Sequence, residues 1–207
     1  MKSICVSLIA ISCFLQGQNL PSLEEYLTEH NAVLTEGYMI PSQQQGVNEL
    51  LNLHPDIESI LEIGLNAGHS AENFFQTCKK LTKFVSFDIN THDYTKIAVD
   101  YLSQKYPNVF QFVPGDSRKT VDAYSIVYPE QKFDLIYVDG DHSYAGATRD
   151  IVNCKKLARA HTILLIDDYS PEMEVKKAVD DLVKRGFIVI KNVYHAEDRC
   201  WVEANYR

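Results

Sequence analysis

The sequence predicts one α/β domain: a doubly wound, seven-stranded, mostly parallel sheet whose last strand runs antiparallel. Three observations carry this expectation. Short runs rich in Val, Ile, Leu and Phe recur from Ser59 to Ala204, as strands buried on both faces do. The first five runs are each followed by a stretch with apolar residues at helical spacing, and such alternation places helices on both faces of a parallel sheet. The last two runs are joined by a polar stretch without a helix, so they pair antiparallel.

Taken in order, a short polar helix covers Leu23 to His30, Gly37-Tyr-Met-Ile-Pro41 is a loop, and a helix from Gln43 to Leu53 places Val47, Leu50 and Leu51 on one face. His54 precedes Pro55, a position that disfavours helix. The five strand–helix units follow: Ser59–Ile63 with His69–Lys79, Phe84–Phe87 with Thr95–Lys105, Val109–Val113 with Arg118–Val127, Phe133–Val138 with Tyr144–Ala158, and Ile163–Ile166 with Glu174–Arg185. Val175, Ala178, Val179 and Leu182 form the stripe of the last helix, which Gly186 ends. Phe187–Ile190 and Cys200–Ala204 complete the count.

A chain of 207 residues suits a single domain, here 21–207, with residues 1–20 set apart. The net charge is -8 and no basic run occurs, which argues against nucleic acid as a partner and towards a small neutral or cationic ligand. The five cysteines form no CxxC pair and fit no zinc spacing; Cys78 and Cys154 read as inert buried thiols. Met1-Lys2 and the apolar run Ile4–Leu15 read either as a secretory leader or as an N-terminal docking helix; the run is too short to span a bilayer. No integral membrane segment is expected, and localisation stays open. A homodimer fits the size and a last strand expected to be exposed.

The chemistry collects at strand ends, where ligands of open α/β sheets bind. Glu62-Ile-Gly64-x-x-x-Gly68 lies between the first strand and its helix. The glycines allow a tight turn and close approach of a ligand to the backbone. The spacing is not GxGxxG, and an acid beside a pyrophosphate would repel it, so a zwitterionic nucleoside suits the loop better than a dinucleotide. Asp88 ends the second strand, where a carboxylate either binds ribose hydroxyls or serves as a helix cap or solvated loop acid. Asp116, in Gly115-Asp116-Ser117, either accepts from an adenine amino group or caps the next helix. The fourth strand ends in Asp139-Gly140-Asp141-His142-Ser143-Tyr144 and the fifth in Asp167-Asp168. Four carboxylates and an imidazole at one sheet end suit a hard cation and a proton transfer; Asp141 and the Asp167-Asp168 pair read equally as helix-cap and turn residues.

This ordered set resembles the class I S-adenosylmethionine-dependent methyltransferases, and within them the small O-methyltransferase-like group with a DGDHSY-type motif, related to the cation-dependent catechol-type O-methyltransferases. The resemblance runs from about Gly37 to the end of the chain. It implies a Rossmann-like methyltransferase fold and methylation of a small-molecule hydroxyl. Gly64, Asn66, Gly68 and Ser70 would wrap the methionine end, with Glu62 near the amino group or bracing the loop. Asp88 would hold the ribose, and Asp116 and Ser117 would meet the adenine. Asp139, Asp167 and Asp168 would hold Mg²⁺. His142 stands where catechol-type relatives carry a Lys base, with Asp141 orienting it or touching substrate. The relatives have Asn at the place of Asp168; the added charge either strengthens metal binding, alters the substrate charge preferred, or leaves Asp168 behind the ligands. Metal-free methylation, a different reaction such as hydroxylation, and an exported binding protein that keeps the fold without activity are the rival readings.

Overall fold

The computed structural model describes residues 20–207. Seven strands, β1 (Ser59–Ile63), β2 (Lys83–Asp88), β3 (Phe110–Pro114), β4 (Phe133–Val138), β5 (Ala158–Ile166), β6 (Ile188–Ala196) and β7 (Arg199–Tyr206), form one sheet in the order β3-β2-β1-β4-β5-β7-β6. β1 to β5 pair in parallel, and β7 runs antiparallel to both β5 and β6. Around the sheet lie α1 (Leu23–Glu29), α2 (Pro41–Leu53), α3 (His69–Thr77), α4 (Asp93–Lys105), α5 (Ser117–Val127), α6 (Tyr144–Cys154) and α7 (Glu174–Lys184). This is the Rossmann-like methyltransferase fold.

Two apolar layers fix which helix covers which face. Val121 and Tyr124 of α5, Ala147 and Ile151 of α6 and the stripe of α7 pack with Leu61, Ile63, Val85 and Ile136 on one side. Leu27 of α1, Val47 and Leu50 of α2, Phe74 of α3 and Tyr101 and Leu102 of α4 pack with Ile60, Phe84 and Tyr137 on the other. The period-2 alternation along each strand thus sends successive side chains to opposite layers, and every residue of β1 is buried.

The structure departs from the sequence reading in three places. α6 stops at Cys154, a single 3-10 turn follows, and the chain from Ala158 already belongs to β5. Thr162 makes this possible: its Oγ1 accepts from Arg159 N at 2.6 Å and donates to Phe133 O at 2.6 Å, holding an irregular stretch whose pairing with β4 shifts register. The polar stretch 191–199 is mostly strand, with β6 reaching Ala196 and β7 starting at Arg199. An edge strand needs little apolar surface, and cross-strand pairs such as Tyr194 stacked on Trp201 (5.7 Å, 11°) hold the hairpin. The last strand is not exposed: β7 lies inside the sheet and β6 forms the edge.

Cys78, Cys154 and Cys200 are free. No described helix is long and apolar enough to cross a membrane. The leader reading, Cys5 and Cys13 fall outside the described residues.

Candidate active site

The strand order reverses between β1 and β4. Loops leaving these neighbours turn to opposite faces and open a crevice at their carboxyl ends. A cavity of about 820 Å³ lies there. Gly64, Asn66, Ser70, Asp88, Asp116, Ser117, Asp139, Asp141, His142, Asp167 and Asp168 all line it; Glu62 and Gly68 sit behind its wall.

At one end is the turn after β1. Gly64, Asn66 and Gly68 all take left-handed backbone, with φ of 95°, 51° and 85°. Gly68 is the N-cap of α3 and offers no side chain, so the first N–H groups of that helix remain free. Asn66 Oδ1 is buried with no partner. Free donors beside an orphaned acceptor fit a carboxylate and an amine, the two ends of an amino acid. Glu62 is fully buried beneath, accepting from Ser70 Oγ at 2.5 Å and Ser86 Oγ at 2.6 Å, and burial pushes its pKa up to about 8. It braces the loop from the core. Asp88 ties the turn to β2, with Oδ2 accepting from Asn66 N at 2.9 Å and Oδ1 from Asn90 N at 2.6 Å.

Asp116 takes the helix-cap alternative. It accepts from Arg118 N at 3.1 Å and grips the Arg118 guanidinium at 2.8 and 3.0 Å, which lowers its pKa. Ser117 opens α5 beside it.

A strap of residues 35–39 lies along the cavity. Gly37 has φ of 84°, and a Cβ there would meet Asn66 Oδ1 at 2.2 Å, so the strap backbone rests directly on the turn. His69 joins the strap to α1: Nδ1 is 2.9 Å from Gly37 O and Nε2 is 2.5 Å from Glu24 Oε1. Glu36 Oε1 lies 3.1 Å from His92 Nε2.

At the other end, His142 Nε2 lies 3.6 Å from Asp139 Oδ1 and 3.0 Å from Asp168 Oδ2. One ligand atom from each of Asp139, His142 and Asp168 falls within 4.8 Å of the others. Two carboxylates with room for water and substrate fit the way Mg²⁺ is usually held. Asp168 takes φ of 56°, a conformation that Asn and Asp tolerate best. Asp167 stands behind this cluster with both oxygens engaged: Oδ2 accepts from Gln43 Nε2 and from Tyr137 OH, each at 2.7 Å, and Oδ1 from Asp168 N at 2.9 Å. Burial raises the pKa of Asp139 and of Asp167, whereas the carboxylates of Asp139 and Asp168 push His142 up to about 9. Asp141 folds onto the start of α6, where Oδ1 accepts from Ser143 N at 2.9 Å; among the described residues the His142 imidazole donates no hydrogen bond to it.

Several site residues were not singled out from the sequence. Tyr137 shares a face with Asp139, two positions on, so strand alternation points to it. Gln43 lies 124 residues from its partner and gives no local signal. Arg199 enters the cavity wall only because the hairpin is longer than its apolar residues suggest.

The fold and cleft define a methyltransferase-type domain. Residues 61–169, more than half of the chain, match the family described as methyltransferase domain, and the chain belongs to that family. No curated protein sequence matches it. Among solved structures, the O-methyltransferase from Bacillus cereus in complex with SAH is similar, with a TM-score of 0.71 and 16% identity over 96% of this chain and 97% of that one. The SAH-bound methyltransferase PaMTH1 from Podospora anserina has a TM-score of 0.69 and 15% identity, covering 100% and 97% of the two chains. The cofactor-bound Rv0187 from MTB has a TM-score of 0.72 and 15% identity, covering 95% and 96%. At such identities the likeness speaks to the fold alone.

Proposed function

We propose that the chain is an S-adenosylmethionine-dependent O-methyltransferase that acts on a small-molecule hydroxyl with the help of a divalent cation, Mg²⁺ by donor type. The observation that carries this reading is the abutment of the two ends of the cavity: the glycine turn touches the backbone of the first acid in the cluster. The α3 N–H groups would receive the methionine carboxylate and Asn66 Oδ1 its amine, with Ser70 tying the turn to Glu62. Asp88 would take the ribose hydroxyls on the lone pairs its backbone contacts leave over. Ser117, with Asp116 held by Arg118, would meet the adenine. When bound, the cofactor supplies a methyl group on a positively charged sulfur.

Asp139 and Asp168 would hold the cation, with Asp167 steadied behind them by Gln43 and Tyr137. When bound, the cation supplies a Lewis acid that makes the substrate hydroxyl more acidic. His142 would take the hydroxyl proton at Nε2, the nitrogen that faces both carboxylates. Compensating the charge of those carboxylates returns the imidazole towards its reference range near neutrality, where a base works best. The turn and the acid cluster fix the distance between the reacting groups, and proximity supplies much of the rate. A substrate with two neighbouring oxygens fits this arrangement.

The test is methyl transfer from labelled S-adenosylmethionine to a panel of vicinal diols in the presence of Mg²⁺. Transfer that EDTA abolishes and that falls at least roughly a hundredfold in His142→Ala, the usual scale for loss of a general base, is expected. Transfer indifferent to both EDTA and His142→Ala would refute the cation and base assignments.

A further inference from the structure

We infer that Arg199 forms a carboxylate-binding subsite, so that the acceptor is a hydroxyl compound carrying a carboxylate. The inference rests on the function proposed above and names the substrate class of the same site.

The charged side chains lining the cavity are mostly anionic, and four cationic or imidazole groups stand among them: His92, Arg118, His142 and Arg199. Three are engaged. His92 faces Glu36, Arg118 is held by both oxygens of Asp116, and His142 faces Asp139 and Asp168. Arg199 is different. Its Nε is buried and has no acceptor. Among the described residues, the carboxylate nearest its guanidinium is Asp198 Oδ1, 3.9 Å from Nε, and Asp198 is itself 87% exposed. The Arg199 side chain is 39% exposed, so its outer donors are open to the cavity and solvent, while Nε, shut off from water, has no acceptor.

The backbone that carries it is held. Glu197 Oε1 accepts from Ser42 Oγ at 2.8 Å, which pins the hairpin tip to the start of α2. Cys200 O accepts from Tyr169 N at 2.7 Å, which sets the start of β7 alongside the chain that has just left Asp167 and Asp168. A rigid fork at the edge of an acidic cluster, not neutralised by it, matches a planar carboxylate better than any other common group. A singly charged carboxylate also suits the acidic surroundings better than a doubly charged phosphate. The net charge of the whole chain points to neutral or cationic ligands; this local geometry selects an anion at one corner of the site.

The test compares catechol with protocatechuate, the same diol bearing a ring carboxylate, as acceptors for the full chain with S-adenosylmethionine and Mg²⁺. Protocatechuate is expected to have the higher kcat/KM. In Arg199→Gln the ratio of the two kcat/KM values is expected to fall by about tenfold or more, the scale of one charge-assisted hydrogen bond, and Arg199→Lys retains part of it. A second arm measures protocatechuate binding to the chain loaded with S-adenosylhomocysteine and Mg²⁺, with binding of S-adenosylhomocysteine as the check that each variant is folded. Transfer with a ratio that Arg199→Gln leaves unchanged overturns the subsite and spares the methyltransferase reading. Arg199-dependent binding without transfer supports the subsite and counts against that reading. Absence of both transfer and Arg199-dependent binding overturns the subsite.

Discussion

Gly64 and Asp139 meet at one point: a Cβ built on Gly64 would lie 1.9 Å from the Asp139 carbonyl oxygen. Asp139 N in turn donates to Ile63 O at 2.9 Å. The turn after β1 and the acid after β4 are therefore one rigid unit, and the two halves of the cavity cannot shift independently. Gly64→Ala would add a steric clash to a backbone with φ of 95°, a strain worth about 1–3 kcal/mol before the clash is counted. Lower stability and at least tenfold weaker S-adenosylhomocysteine binding, on the order of the same strain expressed as affinity, are expected by thermal melting and calorimetry.

The Tyr137 hydroxyl donates its one proton to Asp167 Oδ2 at 2.7 Å and lies 3.2 Å from Asp139 Oδ2. Tyr137→Phe removes the hydroxyl and keeps the ring. Loss of a hydrogen bond to a buried carboxylate costs roughly 1–3 kcal/mol. The concentration of Mg²⁺ or Mn²⁺ giving half-maximal transfer should rise several-fold, whereas cofactor affinity should stay near that of the unaltered chain. Cation titrations of both chains check this.

Asp150 is fully buried, and neither carboxylate oxygen makes a hydrogen bond of good geometry, although the Ser117 hydroxyl approaches closely enough to favour the charge. Burial pushes its pKa up to about 6, against about 4 in an unfolded chain. Between these values the folded chain holds a proton that the unfolded chain has shed. The stability this confers is fully present below about pH 4 and is lost as the pH rises through about 6, beyond which the buried charge costs about 2–3 kcal/mol. Asp150→Asn should therefore melt higher than the natural sequence above pH 6, with the gap closing towards pH 4, in melts run across that range.

His69 ties the strap to the core through Gly37 O at 2.9 Å and reaches Glu24 at 2.5 Å. His69→Ala should loosen the strap and speed release of S-adenosylhomocysteine roughly three- to tenfold, as loss of about one net hydrogen bond implies. Stopped-flow displacement reads the rate. An unchanged rate would mean that the strap does not hold the ligand.

Much of the fold was legible because its signals are local. Buried parallel strands are continuous apolar runs, and the α7 stripe at 175, 178, 179 and 182 repeats at helical spacing. The strand-end positions of the acids follow from the same runs. The cap alternatives for Asp116 and Asp141 were legible too, because their partners are local: Arg118 grips Asp116 and Ser143 N donates to Asp141. What was not legible depends on partners remote in sequence. Asp167 is engaged because Gln43 arrives from α2. β6 and β7 extend through polar residues because an edge hairpin is held by cross-strand pairing, which leaves no apolar period to read.

The central claim is that the crevice between the β1 turn and the β4 acid binds S-adenosylmethionine. Calorimetric titration of the chain with S-adenosylhomocysteine tests it most directly. One saturable site per chain, weakened at least roughly tenfold in Asp88→Ala by loss of a charged hydrogen-bond acceptor, is the expected result. No saturable binding, or binding that Asp88→Ala leaves unchanged, would contradict it.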